Sequence, residues 1–260
     1  MDARKQIRKD ILAISHASGH GHLPTCFSIV ELLQALYETM RHDPANPGLA
    51  DRDLFVLSKG HAALAYYVVL ARQGYFPLDA VASFGSCGAT FGCHADRSKI
   101  PGVEVSTGSL GHGIGVAVGM ALALKINKQP GRRVFTLVGD GEANEGTVWE
   151  AALVAESLKL DNLTVIYDNN RSHGRGLQIT NPGEKFASFG FDVEEVDGHD
   201  MEAIKACYRK QGDRPRAVIA NTVKGCGCRT MVADQYAWHR RSPKDAELQT
   251  LLEELDAPSV

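Results

Sequence analysis

The stretch VFTLVGDGEANEGTVWEAALVAESL, residues 134–158, reads as a strand, a glycine-flanked aspartate and a helix in immediate succession. Its first five residues, VFTLV, are almost continuously apolar, the pattern of a strand covered by helices on both faces, and residues 147–158 read as the helix. The same unit continues downstream: LTVIYD at 163–168, FDVEEVDG at 191–198 and AVIANTV at 217–223 read as strands, with a helix over 201–209 before the last. Upstream, a small-residue helix is expected over 109–125, and apolar residues recur at helical spacing in 28–40 and 62–72. Strand, helix, strand repetition demands parallel pairing through right-handed crossovers. The expected fold is therefore α/β, a doubly wound, mostly parallel sheet with helices on both faces. An amphipathic helix start at residues 1–15 and a terminal helix around 243–255 bound the chain. No repeat, low-complexity tract or linker divides it, so residues 1–260 are expected to form one domain.

The composition, 44% hydrophobic and 23% charged, excludes disorder, and the formal charge of −3 with dispersed basic residues gives no pull toward nucleic acid. The longest apolar run, GIGVAVGMALALKI, is too short and too rich in glycine to span a bilayer, and no signal peptide is visible at the start. A cytoplasmic, membrane-free protein is expected. Six cysteines are scattered over a chain large enough to fold without cross-links, which points to reduced thiols. The spacing of Cys87, Cys93, His94, Cys226 and Cys228 does not match common structural zinc sites.

In an open parallel sheet the ligand crevice lies at the carboxyl ends of the strands, where Gly139, Asp140 and Gly141 follow VFTLV. Glycines let backbone amides approach a phosphate closely, and the helix that follows adds its positive end. An aspartate there would repel a bare phosphate, so a hard cation must lie between them, and magnesium fits that role. A second oxygen ligand should come from the next strand end, which carries Asn170 thirty positions after Asp140. A lone GDG is more often an ordinary tight turn; the asparagine makes the pattern far more specific.

GDG followed by this NN resembles the thiamine diphosphate fingerprint, and GDGEANEGTVWEAA resembles transketolase. Further matches are SGHGHLPTCFS, FVLSKGHAALAYYVVL, CHADRSKIPGVEVSTGSLGHGIGVAVGMALA, VDGHD, NTVKGCG and a late WH, so the resemblance covers nearly the whole chain. It implies thiamine diphosphate and Mg2+, or Ca2+ or Mn2+, as cofactors, with Asp140 and Asn170 as side-chain metal ligands and Ser172 as a backbone-carbonyl ligand. His22, His61, His94 and His239 fall where the family places the histidines of the cofactor and substrate channel, and these are the implied catalytic residues. His20 is a competing match for His22. Gly108, Ser109 and Leu110 resemble the loop that meets the thiamine rings, although Ser109 could equally be a helix N-cap. Gly139, Gly141, Glu142, His61 and His239 complete the implied cofactor contacts, and Glu145 matches a glutamate that links paired active sites.

The resemblance extends only to the diphosphate-binding half of a transketolase, because the chain leaves no room for a second α/β domain. It implies a split enzyme whose partner is a separate C-terminal, pyrimidine-binding subunit, in a heterotetramer with two of each chain. The implied reaction is transfer of a two-carbon ketol unit from an anionic ketose to an aldose. The alternatives are the first subunit of a thiamine-dependent 2-oxo acid decarboxylase or dehydrogenase, and a non-catalytic homologue. The chain departs from the family at Leu23, Pro24 and Thr25 after His22, in FGSCGATFGCH, and at Arg171, His173, Arg175, Arg240 and Arg241. Guanidinium groups match phosphate or sulfonate geometry, so some of these arginines are candidates for an anionic substrate group, against the plainer reading of a solvated basic rim.

Overall fold

A computed structural model describes residues 2–257; the ends of the expected 1–260 domain, residue 1 and residues 258–260, and the side chain of Arg175 lie outside the described residues. In chain order the elements are α1 (Ala3–Ser18), α2 (Leu23–Ser28), α3 (Val30–Thr39), β1 (Leu54–Leu57), α4 (Ala63–Arg72), α5 (His112–Ile126), β2 (Val134–Gly139) and α6 (Gly146–Ser157). They continue with β3 (Leu163–Asn169), α7 (Pro182–Ser188), β4 (Asp192–Asp197), α8 (Met201–Arg209), β5 (Arg216–Asn221), α9 (Arg229–Ala233) and α10 (Asp245–Asp256).

The strands form one sheet in the order β1-β2-β3-β5-β4, and every neighbouring pair is parallel. Alternate strand residues point to opposite faces, which builds two cores. Phe55, Leu57, Phe135, Leu137, Ile166 and Val218 pack under α1 to α4 and α8. Leu54, Val56, Val134, Val138, Val165 and Ile219 pack under α5, α6 and α7. The doubly wound reading of the sequence holds.

The sequence reading contains no strand at 54–57. That segment, LFVL, is wholly buried and pairs with β2 from Leu54↔Val134 to Leu57↔Leu137, so it carries SKGH to the carboxyl edge of the sheet. The helix expected over 28–40 is α3, which starts two residues later, because Ser28 ends α2 and Ile29 caps α3. The helix expected to open near Ser109 begins instead at His112, with Gly111 in the left-handed region at φ 79 as its N-cap. Ser109 is thus not the cap. Ile114 N–H donates to Ser58 Oγ at 3.1 Å, so a side chain from the end of β1 satisfies one of the free donors of the first turn of α5.

Candidate active site at the carboxyl edge of the sheet

A cavity of about 550 Å³ opens where β1, β2 and β3 end. Its walls include His22, His61, His94, Gly108, Leu110, Gly139, Asp140, Gly141, Glu142, Asn170, Ser172 and His239, which are residues singled out from the sequence. Ser109 and Glu145 are outside this wall. Both are exposed; Ser109 Oγ lies 3.2 Å from His112 Nδ1, and Glu145 caps α6 through its backbone position.

The GDG turn is bare for a reason that lies outside this chain. A Cβ at Gly139 would meet Lys59 carbons no nearer than 3.7 Å, and one at Gly141 would meet Ser172 Cβ at 3.9 Å, both ordinary contacts. Gly141 has φ −64, open to any residue. The fold does not require glycine at either position, whereas close approach of a ligand to the backbone does. Glu142, just beyond, is a strut. Its carboxylate accepts from Ser58 Oγ at 2.6 Å, Gly111 N at 2.9 Å and Gly139 N at 3.0 Å, tying the turn to the 108–111 loop. Burial pushes its pKa up, and these donors oppose the rise.

Asp140 is 1% exposed. Its Oδ1 accepts from Gly141 N at 2.6 Å, while its Oδ2 is buried with no hydrogen-bond partner. Burial and the nearby Asp168 push its pKa up. A buried carboxylate oxygen without a donor costs free energy, and an added cation would relieve it. Asn170 Nδ2 donates to Asp168 Oδ2 at 2.7 Å and lies 3.2 Å from Ser28 Oγ, which leaves Oδ1 as the oxygen on the cavity side, where Ser172 N donates to it at 3.0 Å. The residues present therefore fit a divalent cation: an orphaned carboxylate oxygen, an oriented amide oxygen and a bare turn that admits a diphosphate.

Three imidazoles cluster across the mouth. The His22 ring centroid is 5.3 Å from that of His61 and 5.5 Å from that of His239. His20, the competing match, also lines this cavity and packs against Gly85, where an added Cβ would meet its ring. His94 packs beside Gly108. Desolvation lowers the pKa of all four, to about 4 for His22 and well below the ordinary value for His61, with mutual repulsion or neighbouring cations adding to the effect. The shift favours the neutral form, in which an imidazole can both accept and donate a hydrogen bond.

Residues with no role in the sequence reading complete the site. Lys59, 1% exposed, is ion-paired with the fully buried Asp168. Lys224 Nζ donates to Ser172 Oγ at 2.9 Å and lies 3.1 Å from His239 Nδ1, and burial beside Lys59 lowers its pKa to about 8. Both lysines stand inside the motifs SKGH and NTVKG, and a lysine in such a sheet-end motif is the signal that could have marked them. Among the departing arginines, Arg240 and Arg241 both line the cavity, and Arg240 has no ion pair among the described residues. Arg241 is held by Glu247 at 2.5 Å and stacks 3.8 Å over Trp238. Arg171 stands outside the cavity wall.

Comparison with known proteins identifies a family for the chain. The family described as transketolase, thiamine diphosphate binding domain, matches residues 2–256. An apulose-4-phosphate transketolase subunit from Actinobacillus succinogenes is 38% identical, over 96% of this chain and 94% of its own length. A 6-deoxy-6-sulfo-D-fructose transketolase subunit from a Clostridium species is 40% identical, over 85% of this chain and 83% of its own. The structure of a transketolase variant from Pichia stipitis superimposes with a TM-score of 0.90 at 27% identity, covering 97% of this chain and 40% of that one. The chain thus spans about two fifths of the solved transketolases it matches. By the match of the family along 2–256, the chain belongs to the transketolases, as their thiamine diphosphate-binding domain.

Proposed function

We propose that this chain is the diphosphate-binding subunit of a split transketolase, which moves a two-carbon ketol unit from an anionic ketose to an aldose together with a separate pyrimidine-binding subunit. One observation carries the reading: Asp140 Oδ2, which accepts no hydrogen bond, and the Asn170 amide oxygen lie at one cavity whose mouth holds three clustered imidazoles. Asp140, Asn170 and the Ser172 carbonyl would hold Mg2+, or Ca2+ or Mn2+, against the cofactor diphosphate, with Lys224 adding positive charge. Gly108, Ser109 and Leu110 would face the thiamine rings, and Gly139, Gly141, Glu142, His61 and His239 would line the diphosphate. Bound thiamine supplies the electron sink for breaking the carbon–carbon bond beside a ketose carbonyl. His22, His61, His94 and His239 accept and return the substrate hydroxyl protons, for which neutral imidazole is suited.

Relatives named as transketolase subunits support the split arrangement and favour ketol transfer over 2-oxo acid decarboxylation. Their named substrates carry a phosphate or a sulfonate, and Arg240 is the guanidinium at this cavity available for such a group. The two cores share one sheet, which supports reading residues 1–260 as one domain. A heterotetramer, with Glu145 between paired sites, and a cytoplasmic setting for its unpaired cysteines belong to the same proposal.

The test is calorimetry of thiamine diphosphate with Mg2+ against this chain, against the product of the adjacent reading frame, and against their mixture. Binding in the mixture alone, lost in Asp140→Ala, is the expected result. Tight binding to this chain by itself would overturn the half-site reading. Unchanged Michaelis constants for anionic sugars in Arg240→Ala would remove Arg240 from substrate binding.

A further inference from the structure

We propose that His173 is a nitrogen ligand of the divalent cation held by Asp140 and Asn170, which shifts the site from magnesium toward transition-metal ions. The inference rests on the cation reading above and adds a ligand that the GDG to NN pattern does not contain.

Arg171, at φ 60, reverses the chain immediately after Asn170, and residues Ser172–Arg175 form a 3-10 turn. That reversal brings His173 Nδ1 to 3.0 Å from Asp140 Oδ2. Both side chains are largely withdrawn from solvent, at 9% and 1% exposure. Yet neither atom has a hydrogen-bond partner. An imidazolium paired with the carboxylate would aim its N–H at the oxygen and satisfy both groups; here the two atoms are close without being aimed at each other.

Adjacent corners of an octahedral site, with ligands about 2.1 Å from the ion, are about 3.0 Å apart. The separation of Nδ1 from Oδ2 has that size. Two electron-pair donors at that distance, buried and unsatisfied, are what a shared cation would reconcile. Asp168, the other carboxylate near Asp140, is engaged by Lys59, Ser28, Thr222 and Asn170. That leaves Asp140 Oδ2 and His173 Nδ1 as the atoms without a hydrogen bond, beside Asn170 Oδ1, which accepts from Ser172 N and Oγ.

The chemistry that follows concerns selectivity. An all-oxygen site suits magnesium, calcium or manganese, whereas imidazole raises affinity for ions later in the divalent series, such as cobalt and nickel.

The decisive experiment uses the full chain, labelled with 15N only in histidine, in complex with thiamine diphosphate and its partner subunit, loaded with Mn2+. Electron spin-echo spectroscopy is expected to show a 15N coupling to the manganese, absent in His173→Ala. In parallel, calorimetry of the same complex with Ni2+ is expected to show affinity at least about tenfold lower in His173→Ala, with Mg2+ affinity changed far less. If Mn2+ binds in an Asp140-dependent way but no histidine coupling is present in the unsubstituted protein, His173 is not a ligand and the cation reading stands. If no Asp140-dependent metal binding occurs, both fall.

Discussion

Asp168 is wholly buried at the end of β3, where it accepts hydrogen bonds from Ser28 at 2.9 Å, from Asn170 at 2.7 Å, and from Lys59 and Thr222. By taking the amide N–H of Asn170 it fixes which way that side chain faces, so a residue outside the cavity wall decides whether an oxygen is presented to the cavity. It also neutralises Lys59, which could not remain charged and unpaired at that depth. Replacing Asp168 by Ala is expected to cost about 3–5 kcal/mol of stability, the penalty for breaking a buried ion pair from one side. It should also weaken cofactor binding to the assembled enzyme by more than tenfold, because the Asn170 amide loses its orienting acceptor. Thermal melting and calorimetry on the same variant check both, and cofactor affinity equal to that of the unsubstituted protein would remove Asp168 from positioning Asn170. This residue also marks the limit of what the sequence discloses at this scale. Asp140 and Asn170 are visible because bare glycine and thirty-residue spacing are local signals. The roles of Asp168 and Lys59 depend on a pairing across 109 residues that no local pattern contains.

Among the elements, the same limit separates β2 and β3, apolar runs between obvious turns, from β1. Four residues of LFVL running directly into SKGH give too short a period to distinguish a strand from the start of the next helix, and only its pairing with β2 defines it. That pairing makes the contact between β1 and α5 tight: a Cβ at Gly113 would lie 2.6 Å from Ser58 Cα, a backbone atom that cannot yield as a flexible side chain would. Gly113→Ala is therefore expected to destabilise the chain by about 1–3 kcal/mol, the usual cost of overpacking a core, as a lowered midpoint in urea with unchanged slope. A second element-level device is the buried pair joining α1 to α3. Arg8 donates to Glu31 through both terminal nitrogens, at 2.8 and 2.7 Å, and His199 Nδ1 lies 3.1 Å from the same carboxylate. Desolvation alone would raise the Glu31 pKa, but His199 and Arg8 outweigh it and hold it at about 2. Since the folded value lies below the ordinary 4.5, the unfolded chain binds more protons between the two. This contribution is complete above about pH 4.5 and is lost as the pH falls toward 2. Arg8→Met should leave Glu31 buried without its main partner, cost about 3 kcal/mol or more at neutral pH, and flatten that acid loss, which urea titrations at pH 7 and pH 3 would resolve.

For the whole molecule, the question is what lies over the helices on one side of the sheet. The α5 and α6 layer leaves Val116 43%, Ile126 69%, Leu153 56%, Val154 45% and Leu158 42% exposed. Scattered apolar residues on a surface need no explanation, but four on two helices that pack together, with a fifth at the C-cap of α6, are a concentration of the kind that an interface uses. No helix among the described residues is long and apolar enough to cross a membrane. Glu145, the residue expected to link paired sites, caps the N-terminus of α6 at the end of this layer, which ties the patch to the proposed heterotetramer. Leu153→Asp tests that assignment with little cost to the fold, since a substitution at a residue this exposed usually changes stability by no more than about 0.5 kcal/mol. Its melting temperature should match that of the unsubstituted chain. Its mixture with the partner subunit should sediment as a smaller species, because burying an unpaired carboxylate in an interface costs several kcal/mol, and ketol transfer should fall in proportion to the assembly lost. An assembly of unchanged mass would assign the patch to some other contact and remove this layer from the architecture of the active enzyme, while leaving the chemistry argued for the cavity untouched, because cavity and patch share no residue.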